Sequence, residues 1–383
     1  MKPIGLAILG STGSIGRQTL QVVESLPGRF NVVALSAGGN VTLLEEQARA
    51  FKPNMVYATR QDDYVRDTLT GRGRARWAEL DEMAADPRVD VVVLATVGAA
   101  GLGPALAALR AGKAIALANK EVLVMAGQLL VEEARQHGGE LRPVDSEHSA
   151  IWQCLWGESN DAISRIILTA SGGPFRDMSI DELSRVTAEQ ALKHPNWEMG
   201  KKITVDSATL VNKGLECIEA RWLFDVPLER IDVLLHRESI IHSMVEFRDG
   251  SIKAQLGVPD MRLPIQCALT YPERLASDAI PKLDLNLMST LNFGVPSLRK
   301  YRCLALTIQA GRKGGTYPAA LAAADEVAVQ HFLGGYIRFT DIANVLEDVL
   351  SAHNGVSDPE LDDLLAADAW AREYAEDWVK AKA

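Results

Sequence analysis

Gly10-Ser-Thr-Gly13-Ser-Ile-Gly16 follows an apolar run and opens an amphipathic one, with its glycines three residues apart. Glycine lets such a turn approach a pyrophosphate closely, and a helix beginning there offers unpaired N–H groups and the positive end of its dipole. The spacing is a variant of the dinucleotide-binding pattern; a tight glycine turn in another α/β fold would carry the same letters. Past the next apolar run, Leu35-Ser-Ala-Gly-Gly-Asn40 holds no acid to receive a ribose 2′-hydroxyl. That absence leaves room for a 2′-phosphate and favours NADP, with Arg17 either a distant charge partner or a solvated helix residue.

Five further stretches carry polar chemistry. Pro143-Val-Asp145-Ser-Glu147-His148 reads as the extended end of a strand, where residues two apart share a face, so Asp145 and Glu147 can hold one hard cation. A pair of surface acids is the plain alternative. Ser171-Gly-Gly-Pro174 offers a hydroxyl and pliant backbone N–H groups after a strand. Val205-Asp-Ser207-Ala-Thr-Leu-Val-Asn212-Lys213-Gly-Leu-Glu216 sets Asn212, Lys213 and Glu216 on one helix face by i, i+3 and i, i+4 spacing. Ser171, Ser207, Asn212 and Lys213 suit a phosphate monoester, and Glu216 can complete a three-carboxylate metal site. A capped helix with its polar side toward solvent fits the same letters. His194-Pro-Asn-Trp197-Glu-Met199-Gly200, expected between a helix and a strand, places Trp between Pro and Gly as a closing lid would, although burial against a neighbour is the ordinary use of Trp. Ala118-Asn119-Lys120-Glu121 ends a buried strand on the side where open α/β sheets bind ligands, which makes Lys120 a candidate substrate contact.

These residues need a frame. Apolar runs at 4–9, 32–36, 55–58, 89–97, 114–118 and 141–144 alternate with helix-like stretches such as 15–26, 41–51 and 121–137. Short buried strands between amphipathic helices make a parallel sheet covered on both faces, so residues 1–145 are expected to form an α/β, Rossmann-like cofactor domain. Residues 146–275 mix strands at 163–170, 231–235, 244–247 and 252–256 with a helix near 213–224, as a central α+β catalytic domain with a largely antiparallel sheet would. The proline-punctuated stretch 276–296 reads as a linker, and 297–383 as a C-terminal α-helical bundle of four helices, with Thr340 and Asp358-Pro359 as start signals for the last two. A net charge of −10 argues against nucleic acid or an anionic membrane as partner, so any anion must be met by a local cluster. Cys154, Cys217, Cys267 and Cys303 are too scattered for a zinc knuckle or redox pair and too few for a disulfide framework. With no signal-like or transit-like start, a soluble cytoplasmic protein is expected.

In this order the motifs resemble the 1-deoxy-D-xylulose 5-phosphate reductoisomerase family over almost the whole chain: Gly-Ser-Thr-Gly-Ser-Ile-Gly, Ala-Asn-Lys-Glu, Pro-Val-Asp-Ser-Glu-His, Ser-Gly-Gly-Pro-Phe-Arg, His-Pro-Asn-Trp-x-Met-Gly and Val-Asp-Ser-Ala-Thr-Leu-x-Asn-Lys-Gly-Leu-Glu. The resemblance implies a homodimer, with NADPH held by Thr12, Gly13, Ser14, Ile15, Gly38, Gly39, Asn40, Asn119, Glu121 and Gly200. It implies Mg²⁺ or Mn²⁺ on Asp145, Glu147 and Glu216, with the sugar-phosphate substrate on Ser171, Ser207, Asn212 and Lys213 at its phosphate and on Lys120 and Ser146 at its oxygenated carbons. Substrate contacts from Glu147 and Glu216, and a closing loop of His194, Trp197 and Met199, complete the set; Lys120 and Glu147 would be catalytic. The chemistry so implied is a carbon–carbon break and rejoining of the ketose phosphate, then reduction of the aldehyde, giving 2-C-methyl-D-erythritol 4-phosphate. Two positions depart from the family pattern. Gly39 stands where many relatives have Lys, and His236-Arg-Glu-Ser239 replaces the more usual His-Pro-Gln-Ser, a change expected to be loop or surface variation. A semialdehyde or acyl-phosphate reductase would instead need a nucleophilic Cys. The nearest, Cys154, sits in an apolar helix-like stretch typical of an inert thiol. A third reading, a regulator that binds NADP without turnover, makes the metal triad unnecessary.

Overall fold

The computed structural model describes residues 2–382 other than 61–62, 72–74, 198 and 289. It divides into two compact units, Met1–Val122, Gln128–Ser149 and Asp260–Pro281 forming the first and Leu123–Gly127, Ala150–Pro259 and Lys282–Ala383 the second.

Short runs bounded by turns, most of them apolar, become the strands of the first unit: β1 (Ile4–Leu9), β2 (Phe30–Ala37), β3 (Met55–Ala58), β4 (Arg76–Trp77), β5 (Val91–Leu94), β6 (Ala114–Leu117) and β7 (Glu140–Pro143). All pair in parallel in the order β4-β3-β2-β1-β5-β6-β7. The order reverses at β1 and β5, the switch point beyond whose strand ends open sheets hold ligands. Between the strands run α1 (Ser14–Ser25), α2 (Val41–Phe51), α3 (Asp63–Thr70), α4 (Leu80–Ala85), α5 (Leu102–Arg110) and α6 (Lys120–His137), and α7 (Ser146–Leu155) follows β7. The expected six strands all form; β4 adds an edge too short to show a period. The helix Arg262–Thr270 also belongs here rather than with 146–275, because Ile265, Ala268 and Leu269 are buried in the core that covers β1 and β2.

In the second unit β8 (Ile163–Ala170), β9 (Ile231–His236), β10 (Ile241–Phe247), β11 (Ile252–Leu256) and β12 (Phe293–Gly294) form a sheet in the order β11-β10-β8-β9-β12. It is mixed, with β8 and β9 parallel and the other pairs antiparallel. Its helices are α8 (Ile180–Leu183), α9 (Ala188–Ala191), α10 (Lys201–Thr209), α11 (Val211–Phe224) and, numbering Arg262–Thr270 as α12, the tail helices α13 (Arg302–Lys313), α14 (Tyr317–Leu333), α15 (Phe339–Ala352) and α16 (Leu361–Lys382). Two start signals shift. Arg338 rather than Thr340 precedes α15, since Asp341 Oδ2 reaches back to accept from Arg338 N at 3.1 Å. Helix α16 begins beyond Asp358-Pro359, where Asp363 accepts from Glu360 N at 2.9 Å.

The tail does not close on itself. Val205, Leu215 and Ile218 of α10 and α11 share one core with the run Ala320–Ala324 of α14, whose mostly small side chains allow close neighbours. Gly214 and Gly311 bring α11 against α13: a Cβ on Gly214 would lie 2.5 Å from Thr307 Cβ, and one on Gly311 2.7 Å from Ile218 Cγ1. Among the described residues no helix is long and apolar enough to cross a membrane.

Candidate active site

At the carboxyl end of β1, Gly10 takes φ +95°, and a Cβ on Gly16 would meet Gly10 O at 2.3 Å and Ser11 Cα at 2.4 Å. Both contacts are backbone, so the outer glycines are demanded by the turn itself. The turn is tied to β2 and α2: Ser11 N donates to Ser36 O at 2.7 Å, Ser11 Oγ to Gln47 Oε1 at 2.7 Å and Gln47 Nε2 to Ser11 O at 2.9 Å. Gly13 caps α1 without a side chain, so the cap residue itself makes no side-chain hydrogen bond to the first-turn N–H groups. Thr12, Gly13, Ser14 and Ile15 line that turn. Asn40 caps α2 by accepting from Leu43 N at 3.2 Å, while exposed Gly38 and Gly39 would carry a Cβ with nothing within 4 Å. Glycine at 39 is therefore not a requirement of the backbone; it leaves open the space a longer side chain would occupy.

Asn119 brings the next group into place. Its Oδ1 accepts from Val122 N at 3.0 Å while Nδ2 donates to Thr96 Oγ1 at 3.2 Å and Gly98 O at 3.0 Å, which fixes the start of α6 at the end of β6. Glu121 stands in that first turn, and buried Lys120 forms an ion pair with Asp145. Here one expectation is corrected. Glu147 is not on an extended segment but in the first turn of α7, because Asp145 caps that helix, its Oδ1 accepting from Glu147 N at 3.2 Å. The hydroxyl of Ser146 donates to Glu147 Oε2 at 2.6 Å. Burial alone would raise the Asp145 carboxyl, but the Lys120 ammonium and then the His148 ring hold it well below the usual carboxylate range. His148, wholly buried with Nδ1 3.2 Å from Asp145 Oδ1, was missed in the sequence; its signal is the i, i+3 spacing from Asp145, visible only once the segment is helical.

In the second unit Ser171 leaves β8 on a turn whose Gly173, at φ +69°, is seated on α10, where a Cβ would lie 2.7 Å from Ser207 O and 2.8 Å from Ala208 Cα. The Ser171 and Ser207 segments thus meet. His194 Nδ1 accepts from Trp197 N at 2.9 Å and Asn196 N at 3.2 Å, so Nε2 carries the ring proton and donates to Ser171 Oγ at 3.0 Å. That oxygen also accepts from Gly173 N at 3.2 Å, which leaves its own O–H to donate outward. The 194–200 segment joins two helices, α9 and α10, not a helix and a strand, since Gly200 caps α10 and Thr204 Oγ1 donates to Gly200 O at 2.8 Å. Glu198 lies outside the described residues. Trp197 is half-buried with its ring 6.1 Å from that of His242, and His194, Asn196, Trp197, Met199 and Thr204 line a cavity of about 420 Å³.

Leu210, at φ +59°, breaks α10 from α11 and turns Asn212, Lys213 and Glu216 inward together. Asn212 Nδ2 donates to Glu216 Oε1 at 2.5 Å and the Lys213 ammonium pairs with Oε2, so the expected helix face is a buried one, not a solvated one. Beneath Ser207, Lys202 Nζ lies 2.7 Å from Asp206 Oδ2 and 2.8 Å from Asp325 Oδ2, a support for α10 that no short motif announces. The departure at Arg237-Glu238 falls in the turn between β9 and β10, with Arg237 exposed, as loop or surface variation would, while the residues on either side of it are structural. Buried His236 accepts from Ile240 N and Ile241 N at Nε2 (3.2 and 3.1 Å), and Asn196 Nδ2 donates to Ser239 Oγ and Arg237 O, both at 2.7 Å, which anchors the 194–200 loop.

Family profiles match this chain in three segments: 1-deoxy-D-xylulose 5-phosphate reductoisomerase at residues 6–127, its C-terminal domain at 141–224 and the DXP reductoisomerase C-terminal domain at 256–374. This chain belongs to the 1-deoxy-D-xylulose 5-phosphate reductoisomerase family. The reductoisomerase of Pelotomaculum thermopropionicum is 51% identical over 373 residues, covering 96% of each chain, and that of Halalkalibacterium halodurans 51% identical over 382 residues, covering 98% of this chain and all of the relative. Among solved structures, a DOX-P reductoisomerase in complex with NADPH, fosmidomycin and magnesium superposes with TM-score 0.91 at 41% identity, covering 98% of each chain. The Zymomonas mobilis reductoisomerase in complex with NADPH gives the same score and identity over 98% of this chain and 99% of its own. Against that family the inert-thiol reading holds: Cys154 is buried and none of the four cysteines is in a disulfide.

Proposed function

We propose that Lys120, Glu147 and the residues around them carry out the family's reaction here: isomerisation and reduction of 1-deoxy-D-xylulose 5-phosphate to 2-C-methyl-D-erythritol 4-phosphate with NADPH and a divalent cation. The observation that carries this reading is identity of about half over nearly the full length of relatives named for that activity. The residues fit the groups implied. The glycine turn has no side chain at the α1 cap and suits a pyrophosphate, and the all-oxygen set Asp145, Glu147 and Glu216 suits a hard cation, Mg²⁺ or Mn²⁺. When bound, the cation polarises the substrate's neighbouring oxygens and NADPH supplies the reducing equivalents.

The chain's own residues bind, orient and shield. Thr12, Gly13, Ser14, Ile15, Gly38, Gly39, Asn40, Asn119, Glu121 and Gly200 hold the cofactor. Ser171, Ser207, Asn212 and Lys213 grip the phosphate, with the His194 Nε2–H orienting the Ser171 hydroxyl, each charged hydrogen bond contributing about 1.5–3 kcal/mol. That grip, remote from the reacting carbons, orients the substrate and favours loop closure, with Trp197 and Met199 excluding water. Lys120, already paired with ionised Asp145, brings positive charge to the substrate's carbon-bound oxygens beside Ser146. We further read the protein as a cytoplasmic homodimer. What supports the dimer is a run of strongly exposed apolar side chains in one segment, Leu285, Leu287, Phe293, Val295 and Leu298. The test is NADPH absorbance with and without EDTA. Loss of absorbance that requires both the sugar phosphate and Mg²⁺ is expected, and its absence would refute the assignment.

A further inference from the structure

The Ser171 turn belongs to neither a helix nor a strand, and something outside it must hold its shape. Gly172 at φ +81° and Gly173 at φ +69° bend the chain so that the carbonyls that follow converge on one point. Lys300, 125 residues further along, occupies that point. Its Nζ donates to Phe175 O at 2.9 Å, Arg176 O at 2.8 Å and Met178 O at 2.6 Å. An ammonium has three N–H donors, and all three are spent on a single turn. The next residue, buried Tyr301, donates its hydroxyl to Gly172 O at 3.1 Å. Burial pushes that phenol up to about 12, so it keeps its proton at neutral pH. Two consecutive residues at the head of α13 therefore hold four carbonyls of the 172–178 turn, whose other end presents Ser171 Oγ to His194 Nε2.

We propose that Lys300 and Tyr301 are positioning residues for the substrate's phosphate, acting through the Ser171 turn rather than by touching the ligand. The inference rests on reading Ser171 as a phosphate ligand. Without the ammonium, three converging carbonyl dipoles repel one another and the turn opens away from the Ser207 carbonyl on which Gly173 is seated.

The test is steady-state kinetics of the full chain carrying Lys300→Met, Tyr301→Phe or Ser171→Ala, with inorganic phosphate as competitor. Lys300→Met is expected to raise the KM for the sugar phosphate and the inhibition constant of phosphate together, by about tenfold or more. The KM for NADPH stays within about twofold and kcat at saturating substrate within about threefold. Tyr301→Phe moves the same pair in the same direction by a smaller factor, and carries the test alone if Lys300→Met does not fold. Ethylammonium added to Lys300→Ala should recover part of the lost affinity. If the variants lower the thermal midpoint but leave both constants as in the parent, the residues are structural only and the proposal fails. Should Ser171→Ala raise both constants while Lys300→Met and Tyr301→Phe raise neither, the positioning role alone is refuted; if Ser171→Ala raises neither, the phosphate reading beneath it falls.

Discussion

Replacing Gly173 with Ala strikes the Ser171 turn where it is seated on α10. At φ +69° an L side chain costs about 1–2 kcal/mol from its own backbone. The added Cβ would also lie 2.7 Å from Ser207 O, 2.8 Å from Ala208 Cα and 3.1 Å from Ala208 N. These are backbone atoms within one helix, so they cannot rotate aside and the turn must retreat by several tenths of an ångström, an overpacking cost of about 1 kcal/mol or more. The sum, about 2–3 kcal/mol, lowers the thermal midpoint by roughly 4–12 °C for a unit of this size. Because the retreat carries Ser171 Oγ away from His194 and Ser207, kcat/KM for the sugar phosphate falls by about 10- to 100-fold, mostly through KM. The KM for NADPH, whose glycine turn lies in the other unit, serves as internal control and stays unchanged. Differential scanning calorimetry and initial-rate kinetics on one preparation read both effects. A Gly173→Ala protein with the parent's midpoint and KM would show that the close seating does not exist in solution.

Three further outcomes follow from the burial of charge and thiols. Lys213→Met leaves Glu216 buried without its ammonium and should destabilise the second unit by about 3–5 kcal/mol in urea unfolding; Lys213→Arg, too bulky for the same fork, should recover only part. Burial pushes Cys217 up to about 12 and Cys267 up to about 11, so a thiol reagent near neutral pH should label neither in the folded chain and both in denaturant; rapid labelling of folded protein at either position would contradict this. His353 is lowered from the ordinary 6.5 by burial and then by Lys313. The unfolded chain therefore takes up a proton that the folded one refuses. Stability is complete above about pH 6.5 and falls below it by up to about 1.4 kcal/mol per pH unit. Denaturation midpoints of parent and His353→Gln should diverge with pH, and parallel curves would refute the assignment.

Element identity was largely legible where a residue run had one dominant use. Ile4–Leu9, Met55–Ala58, Ile163–Ala170 and Ile252–Leu256 are strands with the bounds their apolar or alternating patterns suggest, because turns of Gly, Pro or Asp punctuate them. What the chain could not announce was pairing at a distance. The apolar face of Arg262–Thr270 says that the helix is buried but not against which sheet. The Ala-rich α14 reads as a tail helix, yet its small side chains allow it to share a core with α10 and α11. In the site, the residue types of Asp145, Glu147, Lys213 and Glu216 were readable, while their local geometry was not. Whether Glu147 follows a strand or opens a helix turns on a cap by Asp145, which two residues of sequence leave undetermined. The convergence of carbonyls on Lys300 is written in backbone dihedrals, and no side-chain pattern records it.

The central claim is that Asp145, Glu147 and Glu216 together hold the divalent cation. Mn²⁺ titration followed by electron paramagnetic resonance, with NADPH present, tests it on the parent and on Asp145→Asn, Glu147→Gln and Glu216→Gln. A single tight Mn²⁺ site in the parent, lost or weakened by about tenfold or more in each variant while NADPH still binds, is the expected result. Mn²⁺ bound as tightly by the variants as by the parent would contradict the claim.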